Sequence, residues 1–184
     1  MTFLSVLGGE HRRIARVLKA LDLIGDRLET SADTDPHDLF RVMTFLRGFA
    51  DGYHHEREEQ VLLKTLVTLG YAADSGVLAF IRQQHREERS LLTRLEMTAT
   101  SPGPWSPETK KTIVEAIRIL TRFERDHMTR ENEGLFPDAQ ALFDEFGDGE
   151  LNRRLERYER ERASAWGVTW LEKLGDDIAA KFET

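Results

Sequence analysis

The sequence contains no cysteine. That excludes disulfides, thiolate nucleophiles, Cys-ligated zinc and cysteine-held iron–sulfur clusters. No apolar run approaches the roughly 20 residues that a bilayer-spanning helix needs, so a membrane is not an expected partner. Positive charge is also short: 26 basic against 33 acidic residues give a net charge of −7. Nucleic acid is therefore not an expected partner, because phosphate binding wants a basic face. The start, Met-Thr-Phe-Leu-Ser-Val-Leu-Gly-Gly-Glu-His, lacks the basic flank and apolar length of a secretory signal. The cytoplasm is the expected compartment. At 184 residues, 40% hydrophobic and 32% charged, the chain suits one domain with a sizeable core.

What the chain does have is one pattern written twice. The first copy runs from His11 to His54-His55-Glu56-Arg57-Glu58, the second from His85 to His127-Met128-Thr129-Arg130-Glu131. In each, a lone histidine precedes a His-x-x-Arg-Glu segment, by 43 residues in the first copy and 42 in the second. Four of the six histidines are used this way. A spacing of four puts the histidine and glutamate of each segment on one helix face, a turn apart.

The surrounding periodicity is helical almost throughout. Leu7, His11, Ile14, Leu18 and Leu21 share one face of a first helix from Leu4 to Leu28. A polar linker, 30–35, leads to Pro36, which suits the first turn of a second helix. That helix carries Leu39, Val42, Met43, Leu46, Phe49, Ala50 and Tyr53 into His54, then Val61, Leu62 and Leu66, and ends near Gly70. Asp74 can cap a third helix bearing Val77, Leu78, Ile81, His85, Leu92 and Leu95. Ser-Pro-Gly-Pro-Trp-Ser-Pro is the one strongly punctuated loop, and Ser106-Pro107 starts a fourth helix. Its stripe is Ile113, Ile117, Leu120, Phe123 or Glu124, His127 and Glu131. Two αα-hairpins joined by a short link predict an all-α fold, an antiparallel up-down-up-down four-helix bundle. A single domain over 1–184 is expected, with the bundle at about 3–137 and a helical extension at about 138–184. The extension comprises a short helix to Phe146, a charge-dense helix over 150–162, and a last helix with Val168, Leu171, Leu174, Ile178 and Phe182. The last two pack outside the bundle or meet a second subunit, which would make a homodimer.

A single histidine on an apolar stripe is usually a core residue with a hydrogen bond nearby. A lone His–Glu pair on a helix is worth only a few tenths of a kcal/mol. Four imidazoles and two carboxylates on core-facing stripes are another matter, because burying them is expensive unless a metal or one another satisfies them. His11, His54, Glu58, His85, His127 and Glu131 therefore read as the ligands of a binuclear site. Imidazole and carboxylate suit iron, manganese or zinc. Glutamates on facing helices can bridge two ions, as in di-iron carboxylate bundles, whereas six shared ligands fit the closed tetrahedral sites of zinc poorly. Two iron ions are favoured, with manganese or zinc as substitutes.

The same residues resemble the hemerythrin-like proteins with histidine–histidine–glutamate cation-binding motifs. The matching text is Glu10-His11-Arg12-Arg13-Ile14, Phe49 through Glu59, Gln84 through Arg89, and His127 through Glu131 followed by Leu135-Phe136-Pro137. The resemblance covers about residues 3 to 140 and implies a four-helix bundle around an oxo- or hydroxo-bridged di-iron centre. It implies that His11 and His54 serve one iron, His85 and His127 the other, and that Glu58 and Glu131 bridge. Oxygen-carrying hemerythrins have a further histidine where this chain has Arg89, and use aspartate one residue beyond the position of Glu131. Two histidines per iron would leave both metals a labile position for water, dioxygen, nitric oxide or peroxide, unless Glu88 or Tyr53 fills the gap. Arg89 then sits behind the ligands or in solvent.

Other polar residues receive lesser parts. His55 points about a quarter-turn from His54 and reads as a residue behind the ligands or at the surface. His37 reads as solvated. Glu59 and Glu133 are candidates to hydrogen-bond a ligating imidazole, or are surface carboxylates. Two functions follow. The first is a redox-active di-iron protein that binds or reacts with a small diatomic or peroxide ligand, with catalase-like, peroxidase-like or nitric-oxide-reactive turnover as its enzymatic forms. The second is a non-catalytic iron-binding, iron-donating or sensing module that acts through a partner.

Overall fold

The computed structural model describes residues 2–30, 34–99, 104–162 and 167–183. Among them the chain is helical, without strands, in six continuous stretches. Helix α1 is Phe3–Glu29, and α2 runs from Pro36–Phe45 through Leu46–His55 and Glu58–Leu62 to Leu63–Thr68. Helix α3 is Gly76–Thr98; α4 begins as Pro107–Arg130 and continues through Glu131–Leu135 into Phe136–Phe146. Helices α5 and α6 are Gly149–Arg162 and Val168–Phe182. Parts of the two expected linkers, 31–33 and 100–103, lie outside the described residues. No helix among the described residues is long and apolar enough to cross a membrane.

The helix starts follow from local chemistry. Thr2 accepts a hydrogen bond from the Ser5 amide at 3.2 Å, Asp35 from His37 at 2.9 Å, and Ser106 from Thr109 at 3.2 Å. Each satisfies an amide that the first turn leaves without a partner. Pro36 and Pro107 occupy first-turn positions, where a missing N–H does no harm. At α3 the N-cap is Ser75 rather than the expected Asp74, and it makes no side-chain cap bond. Gly70, at φ 106°, takes the left-handed conformation that ends α2.

Helix α4 packs on α1 and α3, and α2 packs on both of these as well. The hydrophobic core between them comes in two pieces. One piece contains Ile14, Leu18, Leu21, Phe45, Phe49, Ala50, Leu92, Ile117 and Leu120. The other contains Phe3, Leu4, Leu7, Val61, Leu62, Leu66, Ile81, Leu135 and Phe136. Each helix passes from one piece to the other at its histidine: Leu7 to Ile14 around His11, Ala50 to Val61 around His54, Ile81 to Leu92 around His85, and Leu120 to Leu135 around His127.

The extension lies against the same chain. Helix α5 packs on the far end of α2, and α6 packs on α1 and α2. Leu174, Ile178 and Ala179 are buried, and each large one contributes on the order of 1.5–3 kcal/mol by leaving water. Arg13 pairs with Glu172, and Arg16 with Asp176 and Glu183, both across the α1–α6 seam. These exposed pairs add little beyond orientation. Gly175 sits on the ring of Phe45, and a Cβ there would lie 2.4 Å from its Cε2. Phe45 is fully buried and has nowhere to go. Gly175→Ala should therefore destabilise the protein by about 1–3 kcal/mol, seen as a lower urea midpoint. An unchanged midpoint would show that α6 does not seat on Phe45 in solution.

Candidate metal centre

In an α-helix successive side chains point about 100° apart, which is why His54 and His55 look unable to share a face. Helix α2 is not α-helical there. Leu46–His55 and Glu58–Leu62 are π-helical, and so is Glu131–Leu135 in α4. These i→i+5 turns are wider, so neighbouring residues diverge less around the axis. They are rare and concentrate at functional sites. Here they end on the paired histidines and begin on each glutamate.

The result is a buried polar layer. His11, His54, Glu58 and Glu131 each bring a donor atom within 4.8 Å of the others, and so do His55, Glu58, His85 and His127. Glu58 belongs to both groups and divides its oxygens between them. Its Oε1 is 3.5 Å from His54 Nε2 and 4.0 Å from His11 Nε2, while its Oε2 is 3.4 Å from His85 Nε2. Glu131 spans the groups too. Its Oε2 lies 3.3 Å from His11 Nε2 and 3.4 Å from His127 Nε2, with Oε1 3.9 Å from His85 Nε2.

All five Nε2 atoms, and all four oxygens of Glu58 and Glu131, are buried without a hydrogen-bond partner. Such an arrangement is costly for the bare protein and natural for a cation. Four of the imidazoles are fixed from behind through Nδ1: His11 by Asn132 Oδ1 at 3.0 Å, His54 by Glu10 at 2.8 Å, His85 by Glu59 at 2.8 Å, and His127 by Gln84 Oε1 at 3.3 Å. Outer partners of this kind set the tautomer and aim Nε2 at the metal. Arg57 holds Glu10, and Arg89 holds Glu59.

The charges within the layer are strongly coupled. Burial opposes charge on His11, but contact with Glu131 and the field of Glu58 win, raising its pKa to about 9. His85 is likewise raised, its burial outweighed by Glu131, Glu58 and Glu59. Burial, reinforced by neighbouring imidazoles, lowers His54 and His55, and brings His127 down to about 3. Glu58 is raised by burial and by Glu131. Burial acts upward on Glu131 too, but the surrounding imidazoles, His127 first, hold it well below the ordinary carboxylate range.

The six residues expected from the repeat all reach this layer. His55 departs from its expected place: the wide turn buries it completely, stacked on His85 with ring centroids 4.1 Å apart. His55 thereby joins Glu58, His85 and His127 in one of the two groups as a fifth imidazole of the layer, and Arg89 itself pairs with Asp51 and Glu59. Of the two carboxylates considered as imidazole partners, Glu59 takes that part, whereas Glu133 is exposed and Asn132 holds His11 instead. His37 is exposed as expected. Glu10, Gln84 and Glu124 were not singled out as imidazole or site partners, although Glu10 and Gln84 immediately precede the lone histidines.

A family model, the hemerythrin HHE cation-binding domain, matches residues 2–139. Comparisons with curated proteins and with solved structures return no match. The chain belongs to the hemerythrin HHE cation-binding family, and its buried histidine–glutamate groups suit a metal site.

Metal must displace the protons that His11 and His85 retain near neutrality, so binding should release protons. The sign is fixed by the raised pKa values: affinity should climb as pH rises from about 6.5 toward the His11 value of about 9. Competition titrations with a chromophoric chelator across that range would show it. A flat profile would mean that the ion displaces no protons from these two imidazoles.

Proposed function

We propose that the protein is a non-haem di-iron protein whose carboxylate-bridged pair binds or reacts with dioxygen, nitric oxide or hydrogen peroxide. The observation that carries this reading is the set of five Nε2 atoms and two carboxylates, all buried, unpartnered and overlapping at Glu58. In this reading α1 to α4 form an antiparallel four-helix bundle. His11 and His54 hold one ion, and His85, His127 and His55 hold the other. Glu58 and Glu131 span the two. Nitrogen and oxygen donors in this number favour iron, or manganese, over a tetrahedral zinc.

A bound iron pair would supply the electrons that a small oxidant takes up. The protein's own contribution is position and dryness. Glu59 and Glu10 hold the Nδ1 protons of His85 and His54, so their Nε2 lone pairs stay directed inward. Leu7, Leu62 and Leu135 close one side of the layer, and Ile14, Ala50 and Leu120 the other, so bulky ligands are excluded. With two imidazoles in one group and three in the other, the exchangeable position falls on the side of His11 and His54. This revises the expectation of an open position on both ions.

Iron-loaded protein is expected to carry two irons per chain by metal analysis, and Glu58→Ala fewer than two, because the bridge holds both. Two tightly held irons in that variant would overturn the bridging role. His55→Ala should weaken one iron, whereas Glu133→Ala should leave both in place; equal effects would remove His55 from the ligands. Peroxide added to the loaded protein in an oxygen electrode reports turnover, and a stable oxygen adduct without turnover of peroxide or nitric oxide would point to carriage.

A further inference from the structure

One carboxylate in the interior has no part in the paired centre. Glu124 is 1% exposed, and neither of its oxygens has a hydrogen-bond partner. It stands three residues before His127, and so lies one turn back on the same face of α4. The Nε2 of His55 lies 3.8 Å from its Oε1. Glu88, on α3, is equally buried and approaches the same imidazole from its other nitrogen, with Oε2 2.8 Å from Nδ1. That short contact is misaligned for a hydrogen bond, and both atoms stay unpartnered.

His55 thus differs from the other four imidazoles. Each of those has an Nδ1 held by a side-chain oxygen, whereas neither nitrogen of His55 makes a hydrogen bond. A neutral imidazole has one lone pair, so to serve the pair through one nitrogen and a further ion through the other, His55 must release its remaining proton to solvent as that ion binds. Simple orientation of His55 by Glu88 would account for Glu88 alone, and would leave Glu124 buried with nothing to satisfy it. A buried unpaired carboxylate is costly, and no lysine or arginine pairs with Glu124 among the described residues. Atoms from His55, Glu88 and Glu124 converge within 4.8 Å of one another, the spacing of ligands around one ion.

We propose that His55, Glu88 and Glu124 form a third cation position beside the pair, one that takes a divalent ion such as Mn²⁺ or Fe²⁺. One imidazole and two carboxylates are a donor set for such ions, and fewer imidazoles make it the weakest of the three positions. The inference rests on the paired-centre reading only through His55, which both positions touch.

Anaerobic titration with Mn²⁺, following free ion by electron paramagnetic resonance, tests both. The wild type should saturate at three ions per chain, the last the weakest. The Glu88→Gln/Glu124→Gln double variant keeps side-chain volume and should saturate at two. Glu124→Asp, a milder change that guards against misfolding, should weaken the third ion by about tenfold or more. A wild type that saturates at two, with the double variant also at two, overturns the third position and leaves the pair standing. So does a double variant that still binds three. Failure of the pair shows elsewhere, as a Glu58→Ala protein that loses no ion.

Discussion

A layer of imidazoles and carboxylates cuts the interior in two, and the rest of the molecule is arranged around that cut. Buried carboxylates carry penalties of several kcal/mol each when unpaired. The two core pieces must make up for them, at about 1.5–3 kcal/mol for each large apolar side chain buried. The layer is therefore sandwiched: Leu7, Leu62 and Leu135 on one side, Ile14, Phe49 and Leu120 on the other. Length matters for the same reason. A helix that contributes to the layer must extend well past it in both directions to reach both core pieces, as the 27-residue α1 does.

The duplicated pattern reappears as duplicated support. In each of the two histidine–glutamate groups one imidazole is held by a neutral amide and one by a carboxylate that is itself held by an arginine. His11 meets Asn132, and His54 meets Glu10, with Arg57 behind it. His127 meets Gln84, and His85 meets Glu59, with Arg89 behind it. An anionic partner makes its imidazole more basic, and the arginine keeps that anion from standing uncompensated near the layer. Arg89 thus belongs to the support of His85, which is why it lies near the layer without entering it.

The helices, and the six residues of the repeat that meet in the layer, were legible because they follow α-helical periodicity and stand in register between the two copies. His55 was not, because its role depends on a wide turn that no spacing rule for α-helices anticipates. Read at 100° per residue it points away; in the turn that forms, it points in. Glu124 was half legible: the stripe on α4 admitted Phe123 or Glu124, and apolar logic alone favours the phenylalanine. The structure buries Glu124 and leaves Phe123 at intermediate exposure. Glu10 and Gln84 were hidden for a different reason, since each meets a histidine more than forty residues away along the chain.

The wide turn also changes what the missing histidine on α3 means. The resemblance to oxygen-carrying hemerythrins puts an imidazole at the position of Arg89. On the proposed reading the fifth imidazole comes instead from α2, one residue after His54. Supplying it there leaves position 89 to the guanidinium that steadies Glu59 and Asp51. It also places an imidazole whose Nδ1 has no carbonyl or amide behind it, facing Glu88 and Glu124. A histidine on α3, four residues from His85, would sit on the same α-helical face as its neighbour and would be held by the same surroundings. Moving the donor to a π-helical turn therefore does more than replace it: the centre becomes open, on one side, to two further buried carboxylates.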